Sequence, residues 1–213
     1  MKIGIIGWGN IGATAARLFV RAGHEVALSN SRGGQGLEAL VAEFGGKAQA
    51  TTIEAAAKSS EVILVAIPFG KLSTLPAGAF KGKVVIDAGN YYPERDGRFA
   101  ELDRDETTSS ELMASQLKEA RLVKGFNTIY FKHLATQGDS SKPLEERRAI
   151  FIAGDDSGAK EIVARLIEEI GFAAVDTGLL HEGGRSQQPG TAVYNKELTA
   201  REAAASFRAH SGS

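Results

Sequence analysis

Three glycines near the start of the chain have the spacing of a phosphate-binding turn. Gly7, Gly9 and Gly12 follow the apolar run "KIGII" and precede a stretch with helical periodicity. In a dinucleotide-binding turn the first glycine allows a tight bend, the second lets the backbone approach a pyrophosphate, and the third lets helix and strand pack closely. The helix that follows presents free N–H groups and its positive dipole end to the phosphates. The expected contact residues are Gly7, Trp8, Gly9, Asn10, Ile11 and Gly12.

A secretion signal is the alternative interpretation of this stretch. Lys2 provides a positive charge, and the small residues at 13–15 mimic a cleavage site. However, glycines at positions 4, 7, 9 and 12 would break the helical apolar region of such a signal, and the apolar helix face continues past residue 15. The sequence therefore favours a nucleotide-binding protein of the cytoplasm.

The residues after the second apolar run indicate NADP rather than NAD. An NAD site usually places an acidic residue on the ribose hydroxyls about 20 residues after the glycine turn. Residues 26–37 contain no acid and carry Asn30, Ser31 and Arg32 instead. Arginine can give a 2′-phosphate two parallel charge-assisted hydrogen bonds, and the other two side chains add neutral donors. We expect these residues to bind the 2′-phosphate; the alternative is that Arg32 is an ordinary solvated loop charge.

Residues that follow the later apolar runs are expected to complete the site. Ligands of open α/β sheets bind beyond the carboxyl ends of the strands. On the cofactor side this rule selects Ile67, Pro68, Phe69 and Asn90, and on the substrate side Phe126, Asn127, Thr128 and Ile129. Pro68 and Phe69 are expected to wall the nicotinamide. Because Asn, Gly and Pro are common at strand ends, an ordinary turn is the alternative at each position.

No catalytic residue and no metal site are predicted. The chain has no cysteine, and its four histidines include no i, i+4 pair. No nucleophile–base pair or paired-carboxylate pattern is present, and Asp155-Asp156 is expected to cap a helix. Hydride transfer between two bound cofactors needs mainly alignment and exclusion of water. The lack of a catalytic pattern is compatible with that reaction.

Alternating strands and helices are expected to position these residues. The predicted strands are 2–7, 25–30, 61–69, 83–90, 121–127, 148–156 and 172–178, and the main predicted helices are 10–22, 37–46, 109–120 and 157–170. Capping boxes are predicted at 51–54 and 108–111. Strands that are apolar throughout suit a sheet covered on both faces. The prediction is an α/β, Rossmann-type, doubly wound, mostly parallel sheet with helices on both faces.

One domain is expected over residues 1–180, followed by a C-terminal loop and short helical tail over 181–213. The segments 128–147 and 181–191 are predicted to be loops. The formal net charge is −1 without a dense basic block, so nucleic acid is not an expected partner. The longest apolar runs are far below the ~18 residues that a membrane span requires. The expected partner is therefore a small-molecule redox substrate.

Several stretches together resemble the NADPH:coenzyme F(420) oxidoreductase-like family. They are "IGIIGWGNIGATAARLFVRAGHEVALSNSRG", "ILVAIPFG", "KVVIDAGNYYPERDG", "TTSSELMASQL", "RLVKGFNTI" and "FIAGDDSGAKEIVARLIEEIGFAAVDTG". The later "GRSQQPGTAVYNKELT" resembles a bacterial subgroup. The resemblance implies NADP(H) at residues 7–12 and 30–32, and a deazaflavin beside residues 126–129. It also implies hydride transfer between the stacked rings, and a homodimer.

The identity of the second redox partner is left open by the residues. Coenzyme F(420) and a flavin are the planar candidates, and a small carbonyl, an imine or a ferric chelate are the others. A carbonyl or imine reductase would need a proton donor within hydrogen-bond reach of the nicotinamide. The non-enzymatic alternative is a module that senses NADP(H) without turnover. A filled crevice would favour the sensor, and room beside the nicotinamide would favour the enzyme.

Overall fold

The apolar runs of the chain form one eight-stranded sheet in the computed structural model, which describes residues 1–210 and side chains as far as residue 206. The strands are β1 (Lys2–Ile6), β2 (Glu25–Ser29), β3 (Ala48–Ala50), β4 (Val62–Val65), β5 (Val84–Asp87), β6 (Arg121–Gly125), β7 (Ala149–Ala153) and β8 (Ala173–Asp176). Their spatial order is β3-β2-β1-β4-β5-β6-β7-β8. The first six strands run parallel, whereas β7 is antiparallel to β6 and parallel to β8. The predicted mostly parallel, Rossmann-type sheet is confirmed.

Ten helices lie between or after the strands within the described residues. They are α1 (Asn10–Arg21), α2 (Glu38–Glu43), α3 (Ile53–Ser59), α4 (Pro93–Asp96), α5 (Ala100–Asp103), α6 (Ser109–Gln116), α7 (Phe131–Thr136), α8 (Ser157–Glu169), α9 (Leu180–Ser186) and α10 (Ala200–His210). Short 3-10 turns occur at Phe69–Thr74, Ala77–Phe80 and Leu144–Glu146. None of these helices is both long and apolar enough to cross a membrane.

Both faces of the sheet are buried, which explains why its strands are apolar throughout. On one face α1, α2, α7 and α8 pack against inward side chains such as Ile5 and Leu64. On the other face α3, α5, α6 and α9 cover side chains such as Ile6 and Val65. The tail and α10 pack on β7 in a third, smaller cluster. Adjacent side chains of one strand thus enter different cores, because strand residues alternate in direction.

Capping residues set several helix boundaries as the sequence predicts. The α6 capping box is confirmed, since the Thr108 side chain accepts from Glu111 N and the Glu111 carboxylate accepts from Thr108 N. Asp156 caps α8 through Ala159 N, and Gly23 ends α1 with a positive φ of 98°. The α3 boundary differs by one residue, because Thr52 rather than Thr51 is the N-cap.

The structure corrects several predicted elements. The strand expected at 61–69 ends at Val65, and the helix expected at 109–120 ends at Gln116. The segments predicted as loops contain α7 and α9. In α9 the glycine pair suggests a loop, but a Cβ at Gly183 would lie 2.8 Å from Thr177 O, so glycine permits close packing there. The predicted tail 181–213 includes α9 and α10, and residues 211–213 lie outside the described part.

The turn between β1 and α1 depends on two glycines. Gly7 has a φ of 103°, and a Cβ there would lie 2.3 Å from Ala66 O. A Cβ at Gly12 would lie 2.1 Å from Gly7 O. Helix and strand can therefore approach this closely only when position 12 has no side chain. Gly9 differs, because a Cβ there would have no neighbour within 4 Å.

Gly12→Ala is expected to destabilise the fold strongly, whereas Gly9→Ala is not. Overpacking of a well-packed site costs about 1–3 kcal/mol or more, and the clash at Gly12 is with backbone that cannot rotate away. Urea unfolding of both variants measures the free-energy difference. Gly12→Ala with unchanged stability, or equal losses in both variants, would contradict this account of the turn.

Candidate functional site

A cleft of about 350 Å³ opens at the carboxyl ends of β1, β4, β5 and β6. The direction of chain progression across the sheet reverses between β1 and β4. Open α/β sheets bind their ligands at this kind of switch point. The walls come from the turns that follow these four strands, together with Tyr194 and Asn195 of the tail. The location agrees with the strand-end rule used for the sequence.

The glycine turn forms one end of this cleft. Gly9 and the first residues of α1, Asn10 and Ile11, line it. Gly9 is the N-cap of α1, no side chain caps this end, and the first turn contains no acidic residue. The α1 N-terminus therefore offers unbonded N–H groups and positive potential. The open space at Gly9 and the uncapped helix fit a pyrophosphate.

The loop after β2 is shaped by Asn30. Its Oδ1 accepts from Arg32 N at 2.9 Å and from Gly34 N at 3.0 Å, while its Nδ2 donates to Gln35 O at 2.8 Å. Asn30 thus organises the loop that presents Ser31 and Arg32, both of which are exposed. Among the described residues, no carboxylate lies within ion-pair distance of the Arg32 guanidinium. An exposed cation beside the glycine turn fits a 2′-phosphate.

The structure brings part of the predicted site together. Ile67, Pro68, Asn90, Asn127 and Ile129 all line the cleft. Asn90 Nδ2 donates to Asn127 O at 2.9 Å, and Asn127 Nδ2 donates to Asn90 Oδ1 at 3.2 Å. Asn127 Nδ2 also donates to Gln187 O at 2.8 Å, which fixes the orientation of this amide. Two strand ends and the tail are therefore joined at the cleft.

The side chains of three other predicted residues are buried in the protein interior. The Phe69 ring is buried in an edge-to-face cluster with Tyr91 and Phe99, so it does not wall the cleft. Phe126 borders the cleft with a positive φ of 63°, but its buried ring packs 6.2 Å from the Phe19 ring. Thr128 is buried and its carbonyl accepts from Asn195 N.

Trp8 is not among the residues that line the cleft. Its indole lies beside Arg17, whose guanidinium carbon is 5.9 Å from the ring centroid. The residue nevertheless sits inside the glycine turn, directly between Gly7 and Gly9, and it is the sole tryptophan of the chain. Its fluorescence is therefore a local probe of events at this turn.

A buried ion pair lies beneath the cleft, and the sequence analysis missed it. Lys124 Nζ lies 3.5 Å from Asp87 Oδ2 and 2.8 Å from Ser110 Oγ, and all three side chains are buried. The pair also holds the turn after β5, because Asp87 Oδ1 accepts from Gly89 N and Lys124 Nζ donates to Gly89 O. Asn90 follows directly. The sequence does contain a sign of this pair, because the apolar runs "VVID" and "RLVK" each end in a charged residue.

Tyr92, Arg95 and Tyr194 form a second group that the sequence analysis missed. All three line the cleft. The Tyr92 and Tyr194 hydroxyls form a hydrogen bond with each other. Burial raises the pKa of the Tyr194 phenol, and the bond to Tyr92 adds to this effect. No local pattern places a tail residue here, since the two tyrosines are 102 positions apart.

The part of the chain that the structure describes contains no cluster of metal-ligating side chains. No group of three or more histidine, aspartate or glutamate side chains is arranged there to hold a metal ion.

Comparison with known proteins identifies the first part of the chain. A family model described as "NADP oxidoreductase coenzyme F(420)-dependent" matches residues 2–91. A hypothetical protein from Sinorhizobium meliloti is 30% identical with a TM-score of 0.80, and the alignment covers 93% of this chain and 95% of that protein.

More distant solved structures share the fold. A candidate F(420)-dependent NADP-reductase from Arthrobacter is 23% identical with a TM-score of 0.68, covering 84% of this chain and 86% of that one. An imine reductase from Bacillus cereus is 19% identical with a TM-score of 0.62, covering 85% of this chain and 56% of that one. At these identities the likeness concerns the fold alone.

Lys124→Met is expected to lower the free energy of unfolding by about 3–5 kcal/mol, because it leaves the Asp87 carboxylate buried without its cation. Urea unfolding measures the loss, and Lys81→Met is the matched control. Lys81 pairs with Glu119 on the surface, where such pairs contribute little. The double variant Lys124→Met/Asp87→Leu is expected to recover part of the stability. Equal stability of Lys124→Met and the unmodified protein would contradict the role assigned to this pair.

Proposed function

This chain belongs to the NADP oxidoreductase, coenzyme F(420)-dependent family, and we propose that it transfers a hydride between NADP(H) and a planar redox partner, a deazaflavin such as coenzyme F(420) or a flavin. The membership makes it an NADP-dependent oxidoreductase. The observation that carries the finer proposal is the open cleft beside an uncapped glycine turn at the sheet's switch point.

The residues present fit NADP(H) along its length. The pyrophosphate would lie on Gly9 and the α1 N-terminus, and the 2′-phosphate would meet Arg32. The nicotinamide would lie against Ile67 and Pro68, which line the cleft. When bound, NADPH supplies the hydride. The protein orients the ring and excludes water from it, which is the main requirement for hydride transfer.

The planar partner would occupy the part of the cleft beside the nicotinamide. Ile129, Tyr130 and Phe131 line this part and offer flat or apolar surface, while Asn127 offers a polar contact. The cleft, with a volume of about 350 Å³, is open and is not filled by side chains. This room supports an enzyme rather than an NADP(H) sensor, for which a filled crevice is expected.

Reduction of a small carbonyl or imine is the second candidate function. One observation favours it, namely the two phenol hydroxyls of Tyr92 and Tyr194 in the same cleft. Such a reaction needs a proton donor close to the nicotinamide. The two candidates share the cofactor and the cleft, and they differ in the acceptor.

Turnover assays with parallel acceptors test the proposal. NADPH oxidation is measured with coenzyme F(420), FMN, a cyclic imine, a small ketone and ferric citrate. We expect turnover with a planar acceptor and a much lower rate with NADH. Turnover confined to the ketone or imine would select the second candidate. NADPH binding without turnover of any acceptor would instead favour the sensor and would refute the proposed hydride transfer.

Arg32→Ala is expected to weaken NADPH binding about 10- to 100-fold while NADH binding changes little, because a charge-assisted bond contributes about 1.5–3 kcal/mol. Quenching of Trp8 fluorescence measures both dissociation constants. Arg165→Ala, on the exposed face of α8, is the matched control. Equal losses for both nucleotides would contradict the 2′-phosphate assignment.

A further inference from the structure

Two phenol groups meet on the wall of the cleft. Tyr92 immediately precedes α4, and Tyr194 belongs to the tail. Their hydroxyl groups form a hydrogen bond with each other. Both residues line the same cleft as Pro68 and Asn127. The pair therefore borders the space proposed for the nicotinamide and its acceptor.

The environment of Tyr194 keeps its phenol protonated. Burial raises the pKa of this group, and the interaction with Tyr92 raises the pKa further. Either hydroxyl can donate in the bond between the two tyrosines. With Tyr194 as the donor, the hydrogen of Tyr92 is free to point into the cleft, which both residues line.

A positive charge lies beside the same ring. The Arg95 guanidinium carbon is 4.9 Å from the Tyr92 ring centroid. Asp96 holds the guanidinium through bonds of 2.9 and 2.8 Å, and Asn90 O accepts from it at 2.7 Å. Asp96 also accepts from Tyr92 N and is the facing negative charge. The guanidinium, held in place by Asp96 and Asn90 O, therefore stacks on the Tyr92 ring and fixes the position of this phenol.

We propose that Tyr92 is the proton donor of this site, and that Tyr194 and Arg95 are the residues that position it. The inference rests on the proposed hydride transfer. The acceptor receives the NADPH hydride at carbon or ring nitrogen and the phenolic proton of Tyr92 at an oxygen or nitrogen conjugated to that atom. The acceptor is thereby reduced by two electrons and NADPH becomes NADP⁺. The Tyr92 phenolate regains its proton from solvent.

This chemistry defines a substrate class. The acceptor carries a C=O or C=N unit, alone or inside a conjugated ring, because such a unit takes up a proton together with a hydride. A ferric chelate accepts electrons without a proton and gains nothing from Tyr92. The tail contributes to this specificity directly, since Tyr194 is one of its residues.

Three tyrosine variants test the inference. Tyr92→Phe removes the proton donor, and Tyr194→Phe removes its hydrogen-bond partner. Tyr91→Phe is the matched control, because the Tyr91 hydroxyl bonds Asp103 and Phe99 N outside the cleft. For each variant we measure kcat and KM with NADPH and the acceptor that the unmodified protein turns over. NADPH binding by Trp8 fluorescence and tyrosinate absorbance on alkaline titration are measured without turnover.

We expect Tyr92→Phe to lower kcat by about 100-fold, the range of a general acid, with an unchanged dissociation constant for NADPH. Tyr194→Phe is expected to lower kcat by about tenfold with little change in KM, and Tyr91→Phe to keep full turnover. In the alkaline titration of the unmodified protein, one phenol resists ionisation above the ordinary value of about 10. Tyr92→Phe should shift that late phase to lower pH.

Turnover by Tyr92→Phe at the rate of Tyr91→Phe would overturn the inference. A late titration phase that Tyr92→Phe leaves unchanged would also overturn it, because the two phenols would then not be coupled. Failure of the proposed function is seen separately, as NADPH binding without turnover of any acceptor by the unmodified protein, and the inference would fall with it.

Discussion

The contact between the start of α1 and the end of β1 is the constraint on which the rest of the structure depends. Gly12 lies so close to Gly7 O that no side chain fits between them. This contact sets the α1 N-terminus directly at the carboxyl end of β1, with its unbonded N–H groups toward the cleft. β2 and β4 lie on opposite sides of β1. The connections therefore diverge at the carboxyl end of β1, and the cleft opens at this same point. The glycine turn and the cleft thus have one geometric origin.

The second half of the site depends on a different interaction. The Lys124–Asp87 pair joins β5 and β6 at positions that are paired in the sheet. It also holds the backbone of Gly89, whose N–H donates to Asp87 and whose C=O accepts from Lys124. The adjacent Asn90 then bonds the Asn127 backbone. An isolated charge in this core would be costly, so the pair, Ser110 and the peptide stabilise one another. This buried cluster fixes two of the turns that line the cleft.

The sequence predicts those features that depend on neighbouring residues. The glycine spacing, the apolar runs and the α6 and α8 caps all lie within short windows, and the structure contains them. It does not predict contacts between distant segments. The Phe69 ring turns into an aromatic cluster, although its place after a strand suggests the cleft. The glycines of α9 suggest a loop because their packing against Thr177 is not visible locally. The antiparallel β7 likewise depends on a connection that periodicity does not encode.

The residues of the cleft come from two parts of the chain, one inside the match to the family model and one beyond it. The family model ends at Tyr91, so it includes the glycine turn, Arg32, Pro68 and Asn90. Tyr92, residues 126–131 and the tail lie beyond it. The tail reaches the cleft at three points, through Gln187 O on Asn127, Asn195 N on Thr128 O and Tyr194 on Tyr92. The residues proposed to bind the cofactor therefore lie in the part that matches the family model. The later residues line the rest of the cleft and include the phenol pair. Under the proposed function, these later residues are the ones that would select the acceptor.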